Sequence, residues 1–192
     1  YLHDGRSEVL ATSLNCSALN NDKLVINSSW RSNKGVDGAL VVSGTVKDEF
    51  DLRFEVVTEP LSESQTSNWF KIPVETTPIE VRGRIEGTLR DPIISIWSHS
   101  EDLKIWGENV SDCTVHINHH KGVNIITSEV YGLGEIESSS ITLFGTVSDN
   151  YIDLSTAVTE IPVAYANKLL GSNTAELHGF IEGAFNIDGS IE

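Results

Sequence analysis

The sequence predicts an all-β protein. Three observations carry that prediction. Apolar and polar residues alternate with a period of two over much of the chain, as they do where successive side chains point to opposite faces of a strand. Turn-forming clusters of Asn, Asp, Gly and Lys recur between these stretches. A set of motifs recurs in the same order about 100 residues further on. Its clearest piece is Gly-x-Ile-Glu-Gly, at Gly83–Gly87 and again at Gly179–Gly183.

Taken in order, Leu10 to Leu19 is a weakly patterned strand, closed by a turn at Asn20-Asn21-Asp22. Leu24, Ile26 and Trp30 share one face of the next strand, and Asn33-Lys34-Gly35 turns the chain. Ala39 to Val46 follows, then a turn at Lys47-Asp48-Glu49. Phe50, Leu52, Phe54 and Val56 then alternate with Asp51, Arg53 and Glu55, the pattern of a half-buried strand. Residues 60–78 break the rhythm; this Ser-, Thr-, Glu- and Pro-rich stretch reads as a loop with a helical turn, its Trp69 and Phe70 plugging an end of the sheet.

From Ile79 to Pro92 the alternation is longest. Ile79, Val81, Ile85 and Leu89 share one face with Gly83 and Gly87, and Glu80, Arg82, Arg84, Glu86, Thr88 and Arg90 take the other. Glycine inside a strand marks a bend or a close approach. Further strands are expected at Ile93–Trp97, Leu103–Trp106, Cys113–Ile117, Val123–Ser128, Leu133–Glu137, Ile141–Val147 and Ile152–Val158. Pro162 to Gly171 is the one good helix candidate, with proline in its first turn and glycine at its end. The last strand carries Leu177, Ile181, Phe185 and Ile187 on its apolar side.

The repeat extends beyond Gly-x-Ile-Glu-Gly. Gly44-Thr45-Val46-Lys47-Asp48 recurs as Gly145-Thr146-Val147-Ser148-Asp149, and Asp51-Leu52 as Asp153-Leu154. Val57-Thr58-Glu59-Pro60 recurs as Val158-Thr159-Glu160, with Pro162 one step late. The offset is 101 residues from Gly44 to Gly145 and 96 from Gly83 to Gly179. Approximate copies span 24–92 and 125–192, inside one β unit covering 1–192. A unit this small does not easily close a core alone, so stacked copies are expected.

Composition limits function. A formal net charge of −15 repels phosphate backbones and anionic membrane surfaces, which argues against nucleic-acid partners. A hydrophobic content of 39% argues against a disordered chain. No apolar run reaches the length of a membrane helix. The chain starts in mid-pattern without methionine, so a fragment of a longer protein is expected. Cys16 and Cys113 fit no metal spacing and are either a disulfide or two half-buried thiols. His116, His119 and His120 form the one histidine cluster, read as a solvated turn before Lys121-Gly122, because adjacent His119 and His120 point apart on a strand. His99, beside Glu101 and Asp102, is likewise read as a turn. No metal, cofactor or catalytic residue is assigned. Carboxylates such as Asp48/Glu49 and Glu80/Glu86 lack a pocket to make them an acid–base pair. Trp30, Trp69, Trp97 and Trp106 are assigned to core packing or sheet-end capping rather than sugar stacking. Asn15, Asn27 and Asn109 begin Asn-x-Ser sequons of the kind a Ser- and Asn-rich chain contains by chance.

Two stretches resemble the repeat of the TamB family, within the AsmA-like group. One is Phe50-Asp51-Leu52-Arg53, Pro60 and Val81 to Pro92; the other is Ile152-Asp153-Leu154, Pro162 to Leu170 and Leu177 to Gly183. Together they cover about half of the chain. The first copy departs from the family in its longer polar segment, Ser62 to Ser67, and the second has Ile187-Asp188-Gly189 where a proline is expected. The resemblance implies an elongated sheet curled into a taco-like trough, apolar inside and polar outside, with one short helix. It further implies a periplasmic portion of an inner-membrane-anchored protein of a diderm bacterium. Phospholipid acyl chains are the implied ligand, and an Omp85-type outer-membrane barrel a possible partner in outer-membrane protein assembly. The implied groove lining is Phe50, Leu52, Phe54, Ile79, Val81, Ile85, Leu89, Ile141, Leu143, Ile152, Leu154, Leu177, Ile181, Phe185 and Ile187. The alternative is a structural or adhesive secreted β-solenoid or sandwich without lipid transport, with the charged face as its binding side.

Overall fold

In the computed structural model, residues 2–3, 8–19, 22–32, 37–62, 74–105, 107–134, 136–165 and 178–190 are described. Among the described residues the protein is nearly all-β, one open antiparallel sheet, with residues 163–165 helical. The strands are β1 (Leu2–His3), β2 (Glu8–Leu19), β3 (Lys23–Ser32), β4 (Asp37–Val46), β5 (Phe50–Thr58), β6 (Val74–Glu75) and β7 (Glu80–Thr88). They continue as β8 (Asp91–Ile105), β9 (Glu108–His120), β10 (Val123–Leu133), β11 (Ile136–Ser148), β12 (Tyr151–Pro162) and β13 (Phe180–Ser190). All thirteen lie in one sheet, and nearly every strand pairs with its neighbours in sequence. The exception is β6, which pairs with the far end of β8 at Ile105 and Lys104, while β7 pairs with the first half of the same strand.

The expected strands are present except at Leu133–Glu137, where β10 ends at Leu133, Gly134 lies in the turn and β11 begins at Ile136; four further differences concern where elements begin and end. The alternation from Ile79 to Pro92 is not one strand. It ends at Thr88, turns at Leu89-Arg90 and resumes in β8 at Asp91, with the Asp91 N–H donating to Thr88 Oγ1 at 3.2 Å. Ile93–Trp97 and the residues from Leu103 belong to one fifteen-residue strand, and His99, read as a turn, lies inside it. There it pairs with Glu80 on one side and Thr114 on the other. His116, His119 and His120 likewise belong to β9, with only Lys121-Gly122 in the turn. Pro162 closes β12 opposite Phe180, and the helix begins at the next residue, Val163. Trp69, Phe70, Trp106, Leu177 and most of the expected helix lie outside the described residues, as does the side chain of Cys16.

Directly paired residues of an antiparallel sheet share a face, so the register sorts every strand. One face carries an apolar row that crosses ten strands: Ile26, Val42, Phe54, Gly83, Ile96, Ile117, Ile126, Gly145, Leu154 and Ile187. At a spacing of about 4.8 Å per strand this row is roughly 40 Å long. The opposite face mixes charged and hydroxylic residues with exposed apolar ones, among them Val41, Ile93, Ile125, Tyr131 and Phe144. Its ladder includes Arg84 Nε donating to Asp51 Oδ1 at 2.9 Å, Arg84 with Glu86 at 3.0 Å, and Arg82 with Glu80.

The glycines of the apolar face have specific neighbours. The Phe54 ring lies over Gly83 and the Trp30 ring over Gly38, filling the space a side chain would take. Gly44 and Gly145 occupy equivalent places in the two copies. A Cβ on Gly44 would stand 1.9 Å from the Asp51 carbonyl oxygen, and one on Gly145 2.0 Å from that of Asp153. Both admit a close approach of the following strand's backbone, at the Asp-Leu that the sequence repeats.

Among the described residues, the buried apolar cluster lies at one end of the sheet. Leu103, Val110, Leu133 and Ile161 are buried there, with Cys113, Val130, Ile141, Val158 and Ile181 packed against them. The chain reaches this core through a line of left-handed residues. Asp102 (φ 53°), Gly132 (φ 65°) and Glu160 (φ 50°) each stand where the alternation would place the next apolar-face side chain. In each strand the following residue, Leu103, Leu133 or Ile161, turns inward instead. Ser139, fully buried beside this line, accepts the Leu133 N–H at 2.6 Å and donates to the Ile136 carbonyl at 2.7 Å. The surface confirms how little of the chain is closed off: 12605 Å², against about 9,000 Å² for a compact protein of 21.0 kDa.

Candidate functional site: the apolar face of the sheet

The expected lining residues fall mostly on one face. Phe50, Leu52, Phe54, Val81 and Ile85 lie together on β5 and β7, and Ile141, Leu143, Ile152, Leu154, Phe185 and Ile187 on β11 to β13. Ile79 prolongs the β5–β7 ladder, its N–H donating to Thr58 Oγ1 at 3.2 Å and its carbonyl accepting the Thr58 N–H at 3.0 Å. The first group and the residues of β11 and β12 are half-buried. They touch lateral neighbours, and no second layer of strands or helices covers them among the described residues. On β13, the last strand of the sheet, Phe185 and Ile187 are exposed.

Two assignments need correction. Leu89 sits in the β7–β8 turn, 82% exposed, and lines nothing. Its odd position continued the alternation, but the two-residue turn had already ended the strand. Ile181 is part of the closed end, paired with Ile161 and packed against the core. Leu177 lies outside the described residues. The middle of the face comes from residues not selected from the sequence: Ile94 and Ile96 on β8, Val115 and Ile117 on β9, and Ile126 on β10. The alternation of Ile94, Ile96 and Ser98 was available as a signal.

The apolar face has one polar inclusion near the turn end. His119 Nδ1 and Asn124 Oδ1 are 2.9 Å apart, and Asn124 Nδ2 donates to the Val147 carbonyl at 3.3 Å. His120 points to the other face, 3.2 Å from Asp91. No three His, Cys, Asp or Glu side chains among the described residues converge as a metal site. Cys113 is a free, half-buried thiol; burial, with the Asp112 charge adding to it, pushes its pKa up. On the polar face, the hydrogen bond from Arg84 holds the Asp51 carboxyl below the usual range, and Asp51 in turn raises Arg84. Trp97, assigned above to packing, stands on this polar face with 37% exposure, its ring centroid 5.6 Å from that of His99.

The face can offer a continuous aliphatic strip to an apolar ligand, with few directional contacts. No family model, curated protein or solved structure compared with this chain matches it.

Proposed function

We propose that this domain is a carrier, not an enzyme, and that its apolar face shields phospholipid acyl chains in transit. The observation that supports this reading is the ten-strand apolar row, half-buried from Ile26 to Ile126 and at Leu154, exposed at Ile187, and uncovered by a second layer among the described residues. Burial of hydrocarbon stabilises by roughly 25 cal/mol per Å² wherever it occurs along such a strip. An acyl chain therefore gains nearly the same free energy at each position and slides without a deep trap. The closed end gives the strip one dry border.

The resemblance to the TamB repeat supplies the setting of the proposal. It is the periplasm of a diderm bacterium, in a protein anchored in the inner membrane, with lipid passing between the two membranes and an Omp85-type barrel as partner. The test is photo-crosslinking in intact cells from position 85, on the apolar face, with position 84, on the charged face, as control. Lipid adducts at Ile85 and none at Arg84 are expected. Absence of lipid at both positions, in a folded protein, refutes the reading.

A further inference from the structure

The polar face carries a feature that lipid carriage does not use. Three shallow concavities of about 510, 350 and 350 Å³ lie end to end across it. The first and second share Trp97 and His116, and the second and third share Thr127 and Glu129. They form one trough perpendicular to the strands, reaching from β4 to β13, about 38 Å at the usual strand spacing. Along its length the register sets Trp97, His116, Thr127, Phe144, Ser155 and Asn186 in a single row.

The composition of this row is specific. Trp97 is 37% and Phe144 59% exposed, and between and beyond them stand hydroxyl, imidazole and amide groups. An exposed indole or phenyl face can stack on a flat ligand ring. The strand backbones here are consumed by the sheet ladder, so any ligand is met by side chains alone. A peptide that recognises a sheet through main-chain pairing has no edge available in mid-sheet. Flat rings with apolar faces and hydroxyl rims fit: they stack on Trp97 and Phe144 and bond to Thr127, Ser155 and Asn186. The two aromatics are three strands apart, about 14 Å, a separation that an extended chain of pyranose rings spans.

Charge narrows the class. The three arginines at the head of the trough are accompanied by Asp51, Glu55, Glu80 and Glu86, so no excess of positive charge awaits an anion. The whole chain carries −15. A polyanionic glycan is repelled, and an uncharged one is not. We infer that the polar face is a second binding surface, for an extended, neutral, β-linked glycan lying across the strands.

The 192-residue chain, titrated with chitohexaose and with cellohexaose by calorimetry and tryptophan fluorescence, tests this. Saturable binding of at least one glycan is expected. Trp97→Ala and Phe144→Ala should each weaken it by about fivefold, while Trp97→Phe retains most of it. Ile85→Asp on the opposite face should leave it unchanged. Circular dichroism checks that each variant is folded. No saturable binding by the folded wild type overturns the inference, as does wild-type affinity in a folded Trp97→Ala protein. Tighter binding of heparin or of a proline-rich peptide than of either glycan also overturns it. None of these outcomes bears on lipid crosslinking at position 85, so the two readings stand or fall separately.

Discussion

At Gly145 a single methyl group decides whether two strands can pair. Its Cβ would lie 2.0 Å from a backbone oxygen, which cannot swing aside as a flexible side chain can. Gly145→Ala should therefore cost about 1–3 kcal/mol in urea unfolding, an overpacking cost. Gly189→Ala, with nothing within 4 Å of its would-be Cβ, should cost less. The sequence marks Gly44 and Gly145 as repeated, but the reason lies in a cross-strand distance that no local pattern encodes. Asp51 makes a second prediction. Its pKa is lowered in the folded state by the Arg84 hydrogen bond, so its contribution is present above the unfolded value of about 3.9 and is lost as pH falls through the folded value. The stability difference between wild type and Asp51→Asn should thus be constant near neutrality and shrink below about pH 4, read from melting curves between pH 7 and pH 2. The side chain is exposed, so the difference is small and salt-sensitive.

Among elements, β8 shows where sequence patterning reaches its limit. The run Ser98-His99-Ser100-Glu101-Asp102 looks like a turn because it is polar, yet it is paired on both sides or at its flanks within the sheet. His99 and Glu101 lie on the wet face of the sheet, while Ser98 and Ser100 stand on the apolar face, Ser100 buried. His99 lies 3.2 Å from Asp112 on that wet face. β4, β5 and β7 were legible because clean alternation is what a strand with one apolar face produces. The closed end was not legible. Its inward residues are out of phase with the rest of their strands, and the shift is made at left-handed Asp102, Gly132 and Glu160, positions that the alternation does not mark. Leu103→Ala, in this core, should cost about 2–4 kcal/mol. Leu52→Ala, in the uncovered part of the apolar face, should cost about 1 kcal/mol or less. Denaturant titration of the two variants compares the closed and open parts of one face directly.

For the whole molecule, the large surface and the small core mean that folding leaves much apolar area available. The folded chain should enhance ANS fluorescence under native conditions, as compact proteins with closed cores do not. Ile85→Asp should reduce that enhancement while Glu86→Ala leaves it, since the two residues are adjacent in sequence and opposite in face. A signal that both substitutions leave unchanged would mean that the dye reports some other surface. The topology has a mechanical consequence as well. Strands follow one another across the sheet in chain order, so a force applied between β2 and β13 acts across the ladders, at right angles to the strands. Hydrogen bonds then open a rung at a time from an edge, instead of being sheared together. Under tension the protein should yield in hairpin-sized steps at low force, like a row of stitches, with the ladder between β8 and β12 the last to come undone because the buried cluster ties its strands together.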